Sequence, residues 1–147
     1  MDASTRRLVR ERAGNRCEYC GLHQDESPLA VLHVEHLRPR KHGGSDEPDN
    51  LALACVECNR AKGSDVGSIA ASGEFTRFFN PRADRWAEHF KLRGVFIGPQ
   101  TPIGEVTARI LGLNEPERIM ERQLLVRLGR YPSPPAARLI AGGRAEQ

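Results

Sequence analysis

Cys17-Glu18-Tyr19-Cys20 and Cys55-Val56-Glu57-Cys58-Asn59-Arg60-Ala61-Lys62-Gly63 bracket the stretch that decides this fold, and they hold all four cysteines of the 147-residue chain. Thiolates are soft ligands, and four of them match a tetrahedral zinc ion. Two residues between the members of each pair let both sulfurs turn onto one ion. Residues 21–54 separate the pairs, so the ion would crosslink distant segments, which is how a small domain is stapled. A redox dithiol would need one pair rather than two, and in a reducing compartment doubled C-x-x-C spacing points to metal. Cys17, Cys20, Cys55 and Cys58 are therefore assigned to a structural zinc site. Four protein ligands leave that ion no open position for catalysis.

Between the brackets stand His33-Val34-Glu35-His36-Leu37-Arg38-Pro39-Arg40-Lys41-His42-Gly43-Gly44 and, further on, Asp49-Asn50-Leu51. The apolar, partly β-branched run 29–34 predicts a strand, 39–50 a loop, 51–54 a second strand, and 55–62 a helix stopped by Gly63. The chemistry gathers here too. An unperturbed imidazole titrates near pH ~6.5, so His36 can take a proton from water at neutral pH. Glu35 and Asn59 offer hard oxygen ligands that suit a divalent cation such as magnesium. Neighbours on a strand face opposite ways, so Glu35 and His36 reach one site only if the strand ends or bulges there, and Leu37-Arg38-Pro39 supplies an ending. His33 shares parity with Glu35 and is read as a strand-packing histidine. Arg38, Arg40, Lys41, Arg60 and Lys62 are candidate phosphate contacts, against the plainer reading of a solvated face.

Across residues 16–63, a third of the chain, these residues resemble the His-Asn-His (HNH) endonuclease family. Glu35-His36 stands at its Asp-His or His-His position, Pro39 and Gly43-Gly44 fit its loop, and Asp49-Asn50-Leu51 fits its middle asparagine. Cys58-Asn59-Arg60-Ala61-Lys62-Gly63 fits the end of its helix motif, with Asn59 where other members carry histidine. The resemblance implies a ββα-metal core and hydrolysis of DNA, one strand cut per active site, leaving 5′ phosphate and 3′ hydroxyl ends. It implies His36 as general base, Glu35 and Asn59 as ligands of the catalytic cation, and Asn50 as a side chain that holds the His36 loop. Glutamate in place of the commoner aspartate lengthens that ligand arm by one methylene and bears on metal preference.

Outward from this core, residues 4–13 predict a helix capped by Ser4 and ended by Gly14. Its arginines, with Arg16, read equally as a solvated face or a phosphate-contacting arm. Residues 64–73 are small and polar, as in a linker. Asp84 to Gly98 predict a hairpin turning at Arg93-Gly94, with Trp86 and the phenylalanines forming a small second core. A helix should start at Pro102 after Thr101. Another should follow Asn114, capped in part by Glu117, with Ile119, Leu124, Leu125 and Leu128 on its apolar face. Residues 131–147, rich in proline and glycine, are expected to be a disordered tail.

The expected architecture is thus α+β: a nuclease domain at 1–63, a linker at 64–73, hairpin and helices at 74–130, and the tail. Charged residues at 28% and hydrophobic residues at 39% suit a globular chain with a modest core. No apolar run approaches the ~20 residues of a membrane span. Met1 to Arg7 leads into no apolar segment, so a cytoplasmic location is expected. A net charge of +3 is compatible with DNA as partner without requiring it. A double-strand cut would call for a homodimer or two events. The competing function is a noncatalytic zinc-stabilised module that binds nucleic acid. It shares the cysteines and the basic residues but has no need of Glu35, His36 and Asn59 together.

Overall fold

The computed structural model describes residues 1–142. Helix α1 spans Ala3–Arg12. Its cap is Asp2, whose carboxylate accepts from the Thr5 amide at 2.8 Å, and the expected cap Ser4 lies inside the first turn. Arg12 is not free for phosphate: its guanidinium donates to the carbonyls of Pro48 and Leu51, both at 2.7 Å. Arg16 is buried and donates to the Cys17 carbonyl.

Strand β1 is His33–His36 and pairs antiparallel with β2, Leu51–Ala54, with Glu35 opposite Ala52 and His36 opposite Leu51. The strand expected at 29–34 is therefore displaced toward the loop. The Gln24 side chain is the reason. It donates to the carbonyls of Ser27 and Ala30 and accepts from the Leu32 amide at 2.7 Å, so these backbone groups are satisfied locally and never enter a ladder. Helix α2, Val56–Lys62, follows β2, and the Cys55 sulfur caps it by accepting from the Cys58 amide. This is the ββα order expected.

The segment expected as linker contains β3, Gly67–Ile69, which pairs with β4, Phe75–Arg77. Trp86 opens a short helix α3, Trp86–His89, rather than a strand, and the hairpin proper is β5, Phe90–Arg93, with β6, Phe96–Pro99. Helix α4, Pro102–Ile110, starts as expected, with the Thr101 hydroxyl accepting from the Gly104 amide. Helix α5 is Pro116–Arg127. Asn114 does not cap it, because its amide bridges the Ile97 backbone, N–H and carbonyl both at 2.8 Å.

Helix α5 keeps Leu125 inward as expected but turns much of its expected apolar face outward. Arg118 and Arg122 are buried, while Leu124 and Leu128 are exposed. The arginines go inward because unpaired carbonyls wait there: Arg118 meets Leu111 and Gly112, and Arg122 meets Val95 and Leu113. The expected tail is folded as far as it is described. Helix α6 spans Pro134–Ile140, and the buried Tyr131 hydroxyl donates to the Cys20 carbonyl at 2.8 Å. The last five residues of that tail, 143–147, lie outside the described residues.

One hydrophobic cluster runs from Val9 through Cys17, Tyr19 and Leu53 to Phe79, Trp86, Phe90, Leu125 and Tyr131. Of the aromatics expected to form a second core, Phe78, Phe79, Trp86 and Phe90 join the first, while Phe75 and Phe96 are exposed. The Trp86 indole donates to the Tyr19 carbonyl at 2.9 Å, and Tyr19 meets Phe79 edge-on. Arg82 pairs with Glu18, whose other oxygen accepts from the Leu53 amide. The C-terminal segments are packed directly on the knuckle that carries Cys17 and Cys20.

Candidate active site and metal centre

The four cysteine sulfurs lie within 4.8 Å of one another, all buried. Cys20 and Cys55 sulfurs are 3.7 Å apart, close to the ~3.8 Å that four tetrahedral bonds of ~2.3 Å to zinc impose. Each knuckle turns its second amide onto its first sulfur, Cys20 onto Cys17 and Cys58 onto Cys55. The set is positioned to hold a zinc ion. Four thiolates overcompensate a divalent charge, and α5 supplies a counter-charge: Arg118 donates to the Cys58 sulfur at 3.0 Å and approaches that of Cys55 at 3.7 Å. Burial opposes the Arg118 charge, but the thiolates of Cys20, Cys58 and Cys55 outweigh it and hold its pKa above the ordinary arginine value. Nothing in the sequence spacing singled out Arg118.

Glu35 leaves β1 toward α2 and is 7% exposed. Its Oε1 accepts from the Tyr19 hydroxyl at 2.5 Å and its Oε2 from the Lys62 ammonium at 2.9 Å. Lys62 is 2% exposed and also donates to the His36 carbonyl at 3.0 Å. Expected among the phosphate contacts, Lys62 is instead buried, with its charge spent inside the fold. Burial pushes the Glu35 pKa up, with Lys62 and the Tyr19 hydrogen bond opposing. Burial, then the Glu35 charge, push the Tyr19 phenol well up. Asn59 is half-buried on α2, three residues before Lys62 and so on the same helix face.

The register runs without a bulge to His36, where β1 ends, so His36 leaves on the face opposite Glu35, and the strand ending does not bring the two side chains onto one site as expected. Its Nε2 hydrogen-bonds Asp46 Oδ1 at 2.8 Å. Asp46 also takes both oxygens to Arg40 at 2.9 Å and lies 3.4 Å from the N-terminal amine. The hydrogen bond from His36, then those from Arg40, hold the Asp46 carboxyl well below the usual carboxylate range. Asp46 and Tyr19 were not foreseen. One sits in a loop and the other between two ligands, and only folding reveals what each touches. His33, expected to pack, is exposed.

Asn50 ties the loop. It accepts from the Arg38 amide at 2.9 Å and donates to the carbonyls of Arg38 and Ser45 at 2.9 and 2.8 Å. The chain passes so close there that a Cβ on Gly44 would lie 1.6 Å from the Arg38 carbonyl oxygen. Arg38, Lys41 and Arg60 are exposed, and Arg40 is exposed but engaged by Asp46. An open cleft of about 600 Å³ borders this cluster, lined by Tyr19, Arg38, His42, Asn50, Lys62 and, from β4, Arg77. Among the described residues, no helix is long and apolar enough to cross a membrane.

Residues 17–65 match the family described as HNH endonuclease. No curated protein and no solved structure matches the chain.

Proposed function

We propose, with the HNH segment of residues 17–65 as premise, that the protein is a metal-dependent endonuclease that hydrolyses DNA phosphodiester bonds, nicking one strand per active site. The observation that carries this reading is the His36–Asp46 hydrogen bond at 2.8 Å. The Asp46 carboxylate accepts from Nε2–H, which leaves the lone pair of the neutral ring on Nδ1. His36 is then a general base. It takes a proton from water, the water oxygen bonds to phosphorus, and the bond from phosphorus to the 3′ oxygen breaks, the leaving oxygen taking up a proton from solvent. The products are a 5′ phosphate and a 3′ hydroxyl. Asp46 is a positioning residue, and Asn50 keeps the loop between them in register.

Glu35 and Asn59 would hold the divalent cation, magnesium or another hard ion. Their oxygens are the right donor type, but Glu35 leaves β1 opposite His36 with both oxygens engaged, so it would have to release Tyr19 and Lys62 to bind an ion on the His36 side. When bound, such an ion neutralises charge that builds on the scissile phosphate and the leaving oxygen. Arg38, Lys41 and Arg60, with Arg40 beside Asp46, would position the duplex through its phosphates. DNA in the cytoplasm is the proposed substrate.

The closed Tyr19–Glu35–Lys62 triad favours a second reading, a noncatalytic zinc-stabilised nucleic-acid-binding module, because both Glu35 oxygens are engaged. Supercoiled plasmid separates the two. The zinc-loaded protein should nick it with added magnesium or manganese and not with chelator. His36→Ala should keep zinc and DNA binding while losing nicking by roughly 10²–10⁴-fold. DNA binding without nicking under any divalent ion would leave the binding module as the reading.

A further inference from the structure

Helix α5 is built inside out. Its inward face carries Arg118 and Arg122, which spend their donors on carbonyls and thiolates, and Leu125. Its outward face carries Met120, Leu124 and, at the C-cap, Leu128, exposed by 67, 54 and 58%. Spacings of four place these three in one stripe. Apolar side chains cost least when covered, and no described residue covers these.

We propose that a second copy of this chain covers the stripe, α5 packing antiparallel on α5 about a twofold axis beside residue 122. The sequence is self-complementary about that point. Met120 falls opposite Leu124 of the second copy, and Glu117 falls opposite Arg127. Both charged residues are exposed, and neither makes an ion pair among the described residues. A twofold interface uses the same patch twice, so each of these pairings occurs in duplicate. A parallel arrangement would set Glu117 against Glu117 and Arg127 against Arg127, which like-charge repulsion disfavours. An acidic helix start also argues against a phosphate surface as the occupant. One helix face is a small interface, so the dimer should dissociate on dilution. The inference stands whether or not His36 cuts DNA.

Sedimentation equilibrium of the zinc-loaded full chain tests it. The expected result is a monomer–dimer equilibrium. Leu124→Glu should abolish the dimer with zinc content and far-UV circular dichroism unchanged. Glu117→Arg alone should weaken association by about tenfold, and adding Arg127→Glu should restore it. The reversal matters because exposed charges swap without threatening the fold. A monomer up to millimolar concentration overturns the proposal. So does a dimer indifferent to Leu124→Glu, or a double reversal that fails to recover the loss.

Discussion

Lys62 and Glu35 bury opposite charges against each other, and removing one strands its partner in a poorly solvated interior. Lys62→Met should therefore cost about 3–5 kcal/mol of unfolding free energy. Combining it with Glu35→Gln, which still accepts from Tyr19, should recover most of that. Urea denaturation of the zinc-loaded variants measures both, and equal losses in the single and double variants would deny the pairing its energetic role. Asp46 is tested through activity instead. Asp46→Asn keeps the shape but removes the anionic acceptor of His36, and nicking should fall by roughly 10–100-fold with zinc retained. The pH behaviour follows in sign. A carboxyl whose folded pKa lies below its ordinary 3.8 contributes stability above that value and loses it as pH falls through the lower, folded one. Amide exchange in residues 38–46 should accordingly stay slow down to about pH 3.8 and quicken below it.

At the scale of elements, α2 and β2 were legible in the sequence because their signals are local: a terminating glycine and a short apolar run. β1 was legible only as to its existence. Its position depends on whether the Leu32 amide finds a strand or a side chain, and Gln24, eight residues earlier, decides that. Gln24→Ala should cost about 1 kcal/mol and accelerate hydrogen exchange at Leu32, an outcome native-state exchange by NMR can check. An unchanged Leu32 rate would mean that something other than Gln24 fixes the strand start. The faces of α5 were not legible, because apolar spacing gives a stripe but not its direction. Carbonyls left over by the turn after α4, with that of Val95, drew the arginines inward, and apolar spacing carries no record of which carbonyls a turn leaves unpaired. Of the candidate site, the four cysteines could be read from spacing, and the remaining residues were singled out by the family resemblance. The Asp46 and Tyr19 contacts could not, since each joins segments that only the tertiary structure brings together.

The whole molecule is organised around one crosslink. Zinc would tie residues 17–20 to 55–58, Arg118 adds α5 to the same sulfurs, and Tyr131 adds the segment before α6 through the Cys20 carbonyl. Structural zinc contributes on the order of 10 kcal/mol or more in small domains, as much as the whole net stability of a typical folded domain, about 5–15 kcal/mol. Chelation should therefore unfold the C-terminal helices together with the knuckles, rather than residues 17–63 alone. The molecule carries its own gauge of this. Trp86 is its single tryptophan, and the indole is sealed against Tyr19 between the two ligands of the first knuckle. Fluorescence excited at the indole thus reports on one place, the seam between knuckle and C-terminal half. Its emission should move to longer wavelength as the ion is withdrawn and return when zinc is restored, giving a label-free optical titration of the metal that holds the two halves together.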